Sequence, residues 1–155
     1  MNQPKKYAFR FESVLPGMSA QDVWNRVSGW EGVNYELGPL VEMTFPSTYS
    51  HLLEIPADGE SHFTSKILLF GFLPIDAHKF ALRAISPPNY FDESSSNNMM
   101  RVWTHKRVVV QTPEGVKVTD ECAFEPRFRL TGGLLLFVYK KIFAHRHARL
   151  KKYFS

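Results

Sequence analysis

The feature that most constrains the fold is a two-residue hydrophobic period that continues from about residue 50 to residue 125. Alternate side chains of a strand point to opposite faces of a sheet, so this period is typical of strands with one buried face. Short turn signals rich in Gly, Pro, Asn and Ser interrupt it, which indicates hairpins and an antiparallel meander. The predicted strands are 50–55, 62–70, 75–86, 90–95, 99–111 and 116–125.

One strand and three helices are predicted outside the meander. Residues 6–14 alternate, with aromatic residues on one face, and predict a first strand. Ser19 precedes Asp22 by three residues, as in a helix N-cap, and a second short helix is predicted to begin at Pro39 and stop before Pro46. After two glycines a long helix is predicted to reach about Tyr153. The chain is therefore predicted to be α+β, with one domain over residues 1–155.

Composition and charge exclude several classes of protein. The chain is 44% hydrophobic and 22% charged, which is typical of a globular protein rather than a disordered one. Its one cysteine, Cys122, excludes an intrachain disulfide and a multi-cysteine zinc site. No secretory signal is recognisable, and the most apolar run is shorter than the ~20 residues of a membrane span. We expect a cytoplasmic protein.

Basic residues concentrate at the C-terminus. Residues 126–155 contain eight Lys and Arg and no acidic residue, so the other residues have a net charge of −4 although the whole chain has +4. This acidic remainder argues against a broad nucleic-acid interface. The basic helix and the apolar residues 134–138 could still contact an anionic membrane surface or a partner.

Two of the predicted strands place carboxylates on their inward faces. Lys79 and Arg83 mark the outward face of strand 75–86, so Asp76, His78 and Phe80 are predicted to face inward. Asp120 lies in the apolar row of strand 116–125, where an unpaired carboxylate would be costly.

Strand 99–111 can be read in either orientation. Trp103, His105 and Arg107 share one face, whereas Val102 and Thr104 belong to the other. Burying the indole gains more than burying a valine, and the polar residues beside it would supply partners for a buried carboxylate. We therefore expect the Trp103 face to point inward.

The long helix places one basic residue within an apolar stripe. At ~100° per residue, Arg146 falls near the centre of a stripe that includes Tyr139, whereas Lys140, His147 and Lys151 fall on the opposite side. Arg146 should therefore face the sheet, where it needs a carboxylate or a ligand anion.

The order of elements and five local sequences resemble the START-like, or SRPBCC, superfamily, especially its polyketide cyclase/dehydrase-type members. The local sequences are SAQDVW (19–24), GFLPIDAH (71–78), WTHKR (103–107), VTD (118–120) and FAHRHARL (143–150). The resemblance covers nearly the whole chain. It implies a helix-grip fold: a curved seven-stranded antiparallel sheet wrapped around a long C-terminal helix, with two short helices after the first strand and a cavity between sheet and helix.

The predicted function is binding of a small, largely hydrophobic molecule, lipid- or polyketide-like, in this cavity. The candidate site residues are Asp76, His78, Phe80, Trp103, His105, Arg107, Asp120, Tyr139 and Arg146. One alternative is a cyclase/dehydratase-type enzyme in which His78 or His105 moves a proton. A second is membrane or partner docking through the basic helix.

The same polar residues could instead form structural pairs, Asp120 with Arg107 or His105 and Arg146 with Asp76. No cofactor is expected, and no metal site, since the histidines lack the spacing of zinc ligands.

Overall fold

The computed structural model describes residues 3–155 and has the predicted α+β helix-grip architecture. The strands are β1 (Tyr7–Leu15), β2 (Val41–Met43), β3 (Ser61–Leu69), β4 (Leu73–Ser86), β5 (Tyr90–Ser95), β6 (Met100–Thr112) and β7 (Gly115–Pro126). The α-helices are α1 (Ala20–Val27), α2 (Trp30–Leu37) and α3 (Gly132–Tyr153), and Leu52–Glu54 and Arg129–Thr131 form 3-10 helices.

The seven strands form one antiparallel sheet in the order β1-β7-β6-β5-β4-β3-β2. Strands β2 to β7 are a meander, and β1 pairs with β7 at the other edge. The sheet curls into a half-barrel around α3. None of the helices within residues 3–155 is long and apolar enough to cross a membrane.

The helix predicted to begin at Pro39 is wrong. Residues Val41–Met43 are β2, which pairs with β3, and the second helix is α2, which ends before Gly38. Gly38 caps this helix by donating its backbone N–H to Asn34 O. Pro39 cannot donate such a bond and disfavours helical geometry in the residue before it, so it marks the end of a helix and not the start of one.

The strand predicted at 50–55 is also wrong. Leu52–Glu54 is a 3-10 helix, and the His51 side chain caps it by accepting a hydrogen bond from Leu53 N at 3.2 Å. The total of seven strands is nevertheless as predicted, because β2 takes the place of this segment. The N-cap predicted at Ser19 is confirmed, since its hydroxyl accepts from Asp22 N at 3.2 Å.

The core consists of two apolar clusters on the concave side of the sheet. One joins α1 to the middle strands and includes Trp24, Phe80 and Leu82. The other lies between α3 and strands β1, β6 and β7, and includes Trp103 and Phe143. The Trp103 face of β6 therefore points inward, as predicted.

Candidate functional site

A cavity of about 230 Å³ lies between α3 and the concave face of the sheet. Its polar lining consists of Asp76, His78, Glu93, Asn97, His105 and Arg146. Its apolar lining consists of Leu37, Val41, Met43, Ile67, Ile75, Met99, Trp103, Leu135, Val138, Tyr139, Ile142 and Phe143. Most of the wall is apolar, and the polar groups come mainly from β4, the β5–β6 region and α3.

Six of the nine candidate residues line this cavity, and three do not. The lining residues are Asp76, His78, Trp103, His105, Tyr139 and Arg146. Phe80 packs in the cluster that contains Trp24. Arg107 and Asp120 are completely buried behind the cavity wall, among other charged groups.

Asp120 is the centre of a buried polar network, which comprises Glu36, Glu93, His105, Arg107, Asp120, Arg146 and His147. Oδ1 of Asp120 accepts from His105 Nε2 and Arg107 Nε, each at 2.7 Å. Oδ2 accepts from Arg107 Nη2 and His147 Nε2, each at 2.7 Å. Burial alone would raise the pKa of Asp120, but Arg107 and His105 hold it well below its ordinary value. The predicted pairing of Asp120 is confirmed with both proposed partners.

The predicted pair of Arg146 with Asp76 is wrong, because Arg146 binds Glu36. Arg146 Nε lies 3.2 Å from Glu36 Oε1, and Arg107 donates to both oxygens of the same carboxylate at 2.8 Å. Burial opposes ionisation of Glu36, yet the two guanidinium groups lower its pKa. Glu36 is in α2, the helix that was misplaced. Gly38-Pro39, taken as a helix stop, would have put Glu36 in the last turn of a helix.

Glu93 joins the network to the cavity wall. Its Oε2 accepts from His78 Nε2 and Ser95 Oγ, both at 2.6 Å, and Oε1 lies 3.7 Å from His105 Nδ1. Burial favours the protonated form, but the two imidazole rings hold the pKa of Glu93 below its ordinary value. Glu93 alternates with Phe91 and Ser95, so the strand period could have identified it as inward-facing.

The hydrogen bonds of Asn97 fix the proton on His78. Asn97 Oδ1 accepts from Met99 N at 3.0 Å and Met100 N at 2.8 Å, so its amide group points Nδ2 at His78 Nδ1, 3.2 Å away. Nδ1 must then accept, and the ring proton lies on Nε2, which donates to Glu93. Both nitrogens of His78 are engaged with protein groups.

His105 is held between two carboxylates. Burial would lower its pKa, but the charge and hydrogen bond of Asp120, together with Glu93, raise it. His105 therefore donates from Nε2 to Asp120, and its Nδ1 faces the Glu93 carboxylate at 3.7 Å.

His147 was predicted on the solvent side of α3, and this is wrong. Only 4% of it is exposed, and besides Asp120 it contacts Ser13 Oγ of β1 at 2.7 Å. Because the sheet curls around α3, it covers a wider arc of the helix than the apolar stripe indicates.

Asp76 differs from the other buried carboxylates. Its Oδ1 accepts from the backbone N–H groups of Ala77 at 2.7 Å and Asn98 at 2.8 Å. Its Oδ2 is buried and has no hydrogen-bond partner among residues 3–155. Asp76 lines the cavity, is only 8% exposed, and has one carboxylate oxygen that the described residues leave without a hydrogen bond.

Metal binding and thiol chemistry gain no support from the arrangement. Within residues 3–155, no three His, Cys, Asp or Glu side chains are grouped so that they could hold a metal ion. Cys122 is buried in the Trp103 cluster, and burial raises the pKa of its thiol far above the ordinary value. Such a thiol is a core residue and a poor nucleophile.

Solved structures with the same fold include START superfamily proteins. A START superfamily protein from Mycobacterium smegmatis has a TM-score of 0.64 and 11% identity, with 95% of this chain and 94% of that chain covered. Ara h 8.0201 has a TM-score of 0.63 and 13% identity, with 97% and 98% covered. DynU16, from the dynemicin biosynthetic locus, has a TM-score of 0.59 and 12% identity. The match covers 93% of this chain but only 47% of DynU16, about half its length.

At these identities the comparisons show a shared fold, the helix grip expected from the resemblance to START-like proteins. A family model described as "Domain of unknown function (DUF8410)" matches residues 15–154. No curated protein matches the sequence.

Proposed function

This chain belongs to the DUF8410 family of domains, and we propose that it binds a compact, largely apolar molecule in the cavity between the sheet and α3. The ligand carries an amine or a hydroxyl group that donates a hydrogen bond to Asp76. The observation that carries this proposal is an apolar cavity lined by Asp76, a buried carboxylate whose Oδ2 has no hydrogen-bond partner among residues 3–155, so that a small shift of the side chain would present this oxygen to a ligand.

The cavity has the composition of a small-molecule site. Such sites are concave and mostly apolar, with a few polar groups that fix the orientation of the ligand, and their volumes are typically ~300–1,000 Å³. At about 230 Å³ this cavity is slightly smaller, which favours a compact ligand over a two-chain lipid. Trp103, Tyr139 and Phe143 supply large apolar surfaces against which a ring or short chain can pack.

Asp76 supplies the specificity. A buried polar atom without a partner costs free energy, so a ligand group that donates to Oδ2 recovers that cost and gains affinity. The backbone N–H groups of Ala77 and Asn98 hold the carboxylate in place before the ligand arrives. A ligand that ends in a carboxylate should be disfavoured there by charge repulsion.

The site geometry favours binding over the proton-transfer alternative. The cavity is lined by His78 and His105, the two candidate acid–base residues, but His78 is engaged at both ring nitrogens and His105 is held by Asp120 and Glu93. A general base needs a nitrogen within hydrogen-bond reach of the substrate. Both rings contact residues of the polar network, which supports binding over proton transfer.

A thermal-shift series on one aromatic skeleton tests the proposal. We expect phenethylamine and phenethyl alcohol to raise the melting temperature, by about 5 °C at a 100-fold excess over Kd. Ethylbenzene should have a smaller effect and phenylacetate none. Mass spectrometry of molecules released from the purified protein should find a compact apolar donor.

Two tryptophan variants on α3 locate the site. Val138→Trp fills the cavity and should abolish the shift, whereas Leu134→Trp, on the same helix but outside the cavity lining, should retain it. Equal shifts in both variants would place binding outside the cavity. Absence of a shift in the unmodified protein, with no co-purified molecule, would refute the proposed function.

A further inference from the structure

The most exposed apolar side chains are concentrated at one end of the molecule. In residues 3–155, all six large apolar side chains that are at least 60% exposed lie there. This apolar collar consists of Phe70, Phe72, Phe128, Leu130, Leu134 and Phe137. They belong to the β3–β4 turn, the segment before α3 and the first turns of α3.

The collar residues are neighbours in sequence of residues that line the cavity. Ile75 follows Phe72 at the start of β4 and lines the cavity, as do Leu135 and Val138 beside Leu134 and Phe137. Met99 also lines the cavity, and its carbonyl accepts from Arg127 N at 3.0 Å, which brings the segment with Phe128 to the same side. The collar and the cavity lining therefore lie at the same end of the molecule.

Basic side chains accompany the collar. Arg127, Arg129, Lys140 and Lys141 are exposed, and Lys141 Nζ lies 5.6 Å from the centre of the Phe137 ring. Glu42 is also exposed and lies beside Gly71 in the β3–β4 turn, so the four basic residues leave the collar region with a net positive charge. Apolar side chains that project from a surface of net positive charge are the combination that partitions into the headgroup region of anionic membranes. A protein–protein interface typically has an apolar core and a polar rim of mixed charge, whereas the polar residues around this collar are mainly basic.

We propose that this end of the protein docks on an anionic lipid surface. The collar enters the boundary between headgroups and acyl chains, and the four basic residues contact lipid phosphates. The cavity then opens toward the bilayer, so that its ligand exchanges with the lipid phase. This last step rests on the proposed function, whereas docking itself does not.

Vesicle co-sedimentation with the full chain tests the docking. We expect binding to phosphatidylcholine vesicles that contain phosphatidylserine, weaker binding to phosphatidylcholine alone, and a decrease as salt is added. Lys140→Glu with Lys141→Glu should weaken binding at least about tenfold. Lys151→Glu with Lys152→Glu changes the net charge equally at the other end of α3 and should have little effect.

A second pair of variants tests the contribution of the apolar collar to vesicle binding. Leu130→Glu replaces a leucine of the collar that is 97% exposed. Leu53→Glu is the control and replaces a leucine outside the collar that is 55% exposed. Only the first should reduce sedimentation. Equal losses within either pair, or no sedimentation of the unmodified protein with anionic vesicles, would overturn the proposal.

Light scattering tests whether a second copy of the chain, rather than a lipid surface, covers the collar. A stable dimer that Leu130→Glu converts to a monomer would show that a second copy covers the collar, and would also overturn membrane docking. The melting-temperature shift with phenethylamine should persist in Leu130→Glu and in the Lys140/Lys141 variant. Loss of vesicle binding with retained ligand binding therefore separates this inference from the proposed function.

Discussion

Asp120 and Asp76 are both buried carboxylates on the concave face of one sheet, but their surroundings are opposite. Asp120 accepts four hydrogen bonds from three cationic or imidazole side chains and does not line the cavity. Asp76 accepts two bonds from backbone N–H groups at one oxygen, and the other oxygen has no partner among residues 3–155. The first has the partners of a structural group, and the second has the unpaired oxygen expected of a binding group.

The comparison shows that burial and charge alone do not identify a site. The cost of burying a carboxylate is met either by protein partners or by a ligand, and only the hydrogen bonds distinguish the two. The polar network lies between the two apolar clusters and fixes the positions of α2, α3 and the sheet. The cavity wall depends on that network for its shape.

Replacing Asp120 should have the largest effect. Asp120→Asn keeps the shape but removes the negative charge that pairs with Arg107 and accepts from His105, and it turns an amide NH2 group toward some of these donors. We expect the free energy of unfolding to fall by about 3–5 kcal/mol, as when one partner of a buried pair is lost. Urea denaturation measures the free energy of unfolding, and a decrease of less than about 1 kcal/mol would contradict the structural role assigned to Asp120.

The pH dependence of stability should show a smaller effect from His105. Its raised pKa means that its contribution is complete below the ordinary value of 6.5 and is lost as pH rises through the folded-state pKa. Glu36, Glu93 and Asp120 have lowered pKa values, so their contributions are present above the ordinary values and are lost as pH falls.

The free energy of unfolding should therefore decline above about pH 6.5 and again in acid. His105→Gln should flatten the alkaline decline, and His62→Gln, at an exposed position, should leave it unchanged. Denaturation midpoints across the pH range measure both. An alkaline decline of equal slope in His105→Gln and the unmodified protein would exclude His105 as its source.

Asp76→Asn should have the smallest effect on stability. The amide oxygen still accepts from Ala77 and Asn98, and the oxygen that is replaced by NH2 has no partner among residues 3–155, so we expect the free energy of unfolding to change by less than about 1 kcal/mol. Its effect should appear instead in ligand selectivity, as a smaller melting-temperature shift with phenethylamine. A loss of stability comparable to that of Asp120→Asn would remove the distinction between the two carboxylates.

The sequence predicted most of the meander because the two-residue period depends only on which side chains alternate. It failed at 39–45 and 50–55, where Pro39 was assigned to the wrong end of a helix and a single turn replaced a strand. Both errors concern short segments whose conformation depends on capping hydrogen bonds rather than on periodicity.

The candidate site was predicted unevenly for a related reason. Asp76, His78, Trp103 and His105 were found because strand alternation assigns a face to each residue. Glu36 was missed with its helix, and His147 was assigned to solvent because a helical stripe does not reveal how far a curved sheet wraps around it.

The sequence by itself determined the strand alternation, the long C-terminal helix and the inward face of most polar residues, because these follow from local geometry and hydrophobic pattern. Only the tertiary structure decided which carboxylate is paired and which is left open. Partners such as Glu36 and Arg107 are 71 residues apart in the chain and meet through the packing of α2 against the sheet. Local pattern contains no information about that distance, so the distinction between network and cavity wall belongs to the fold.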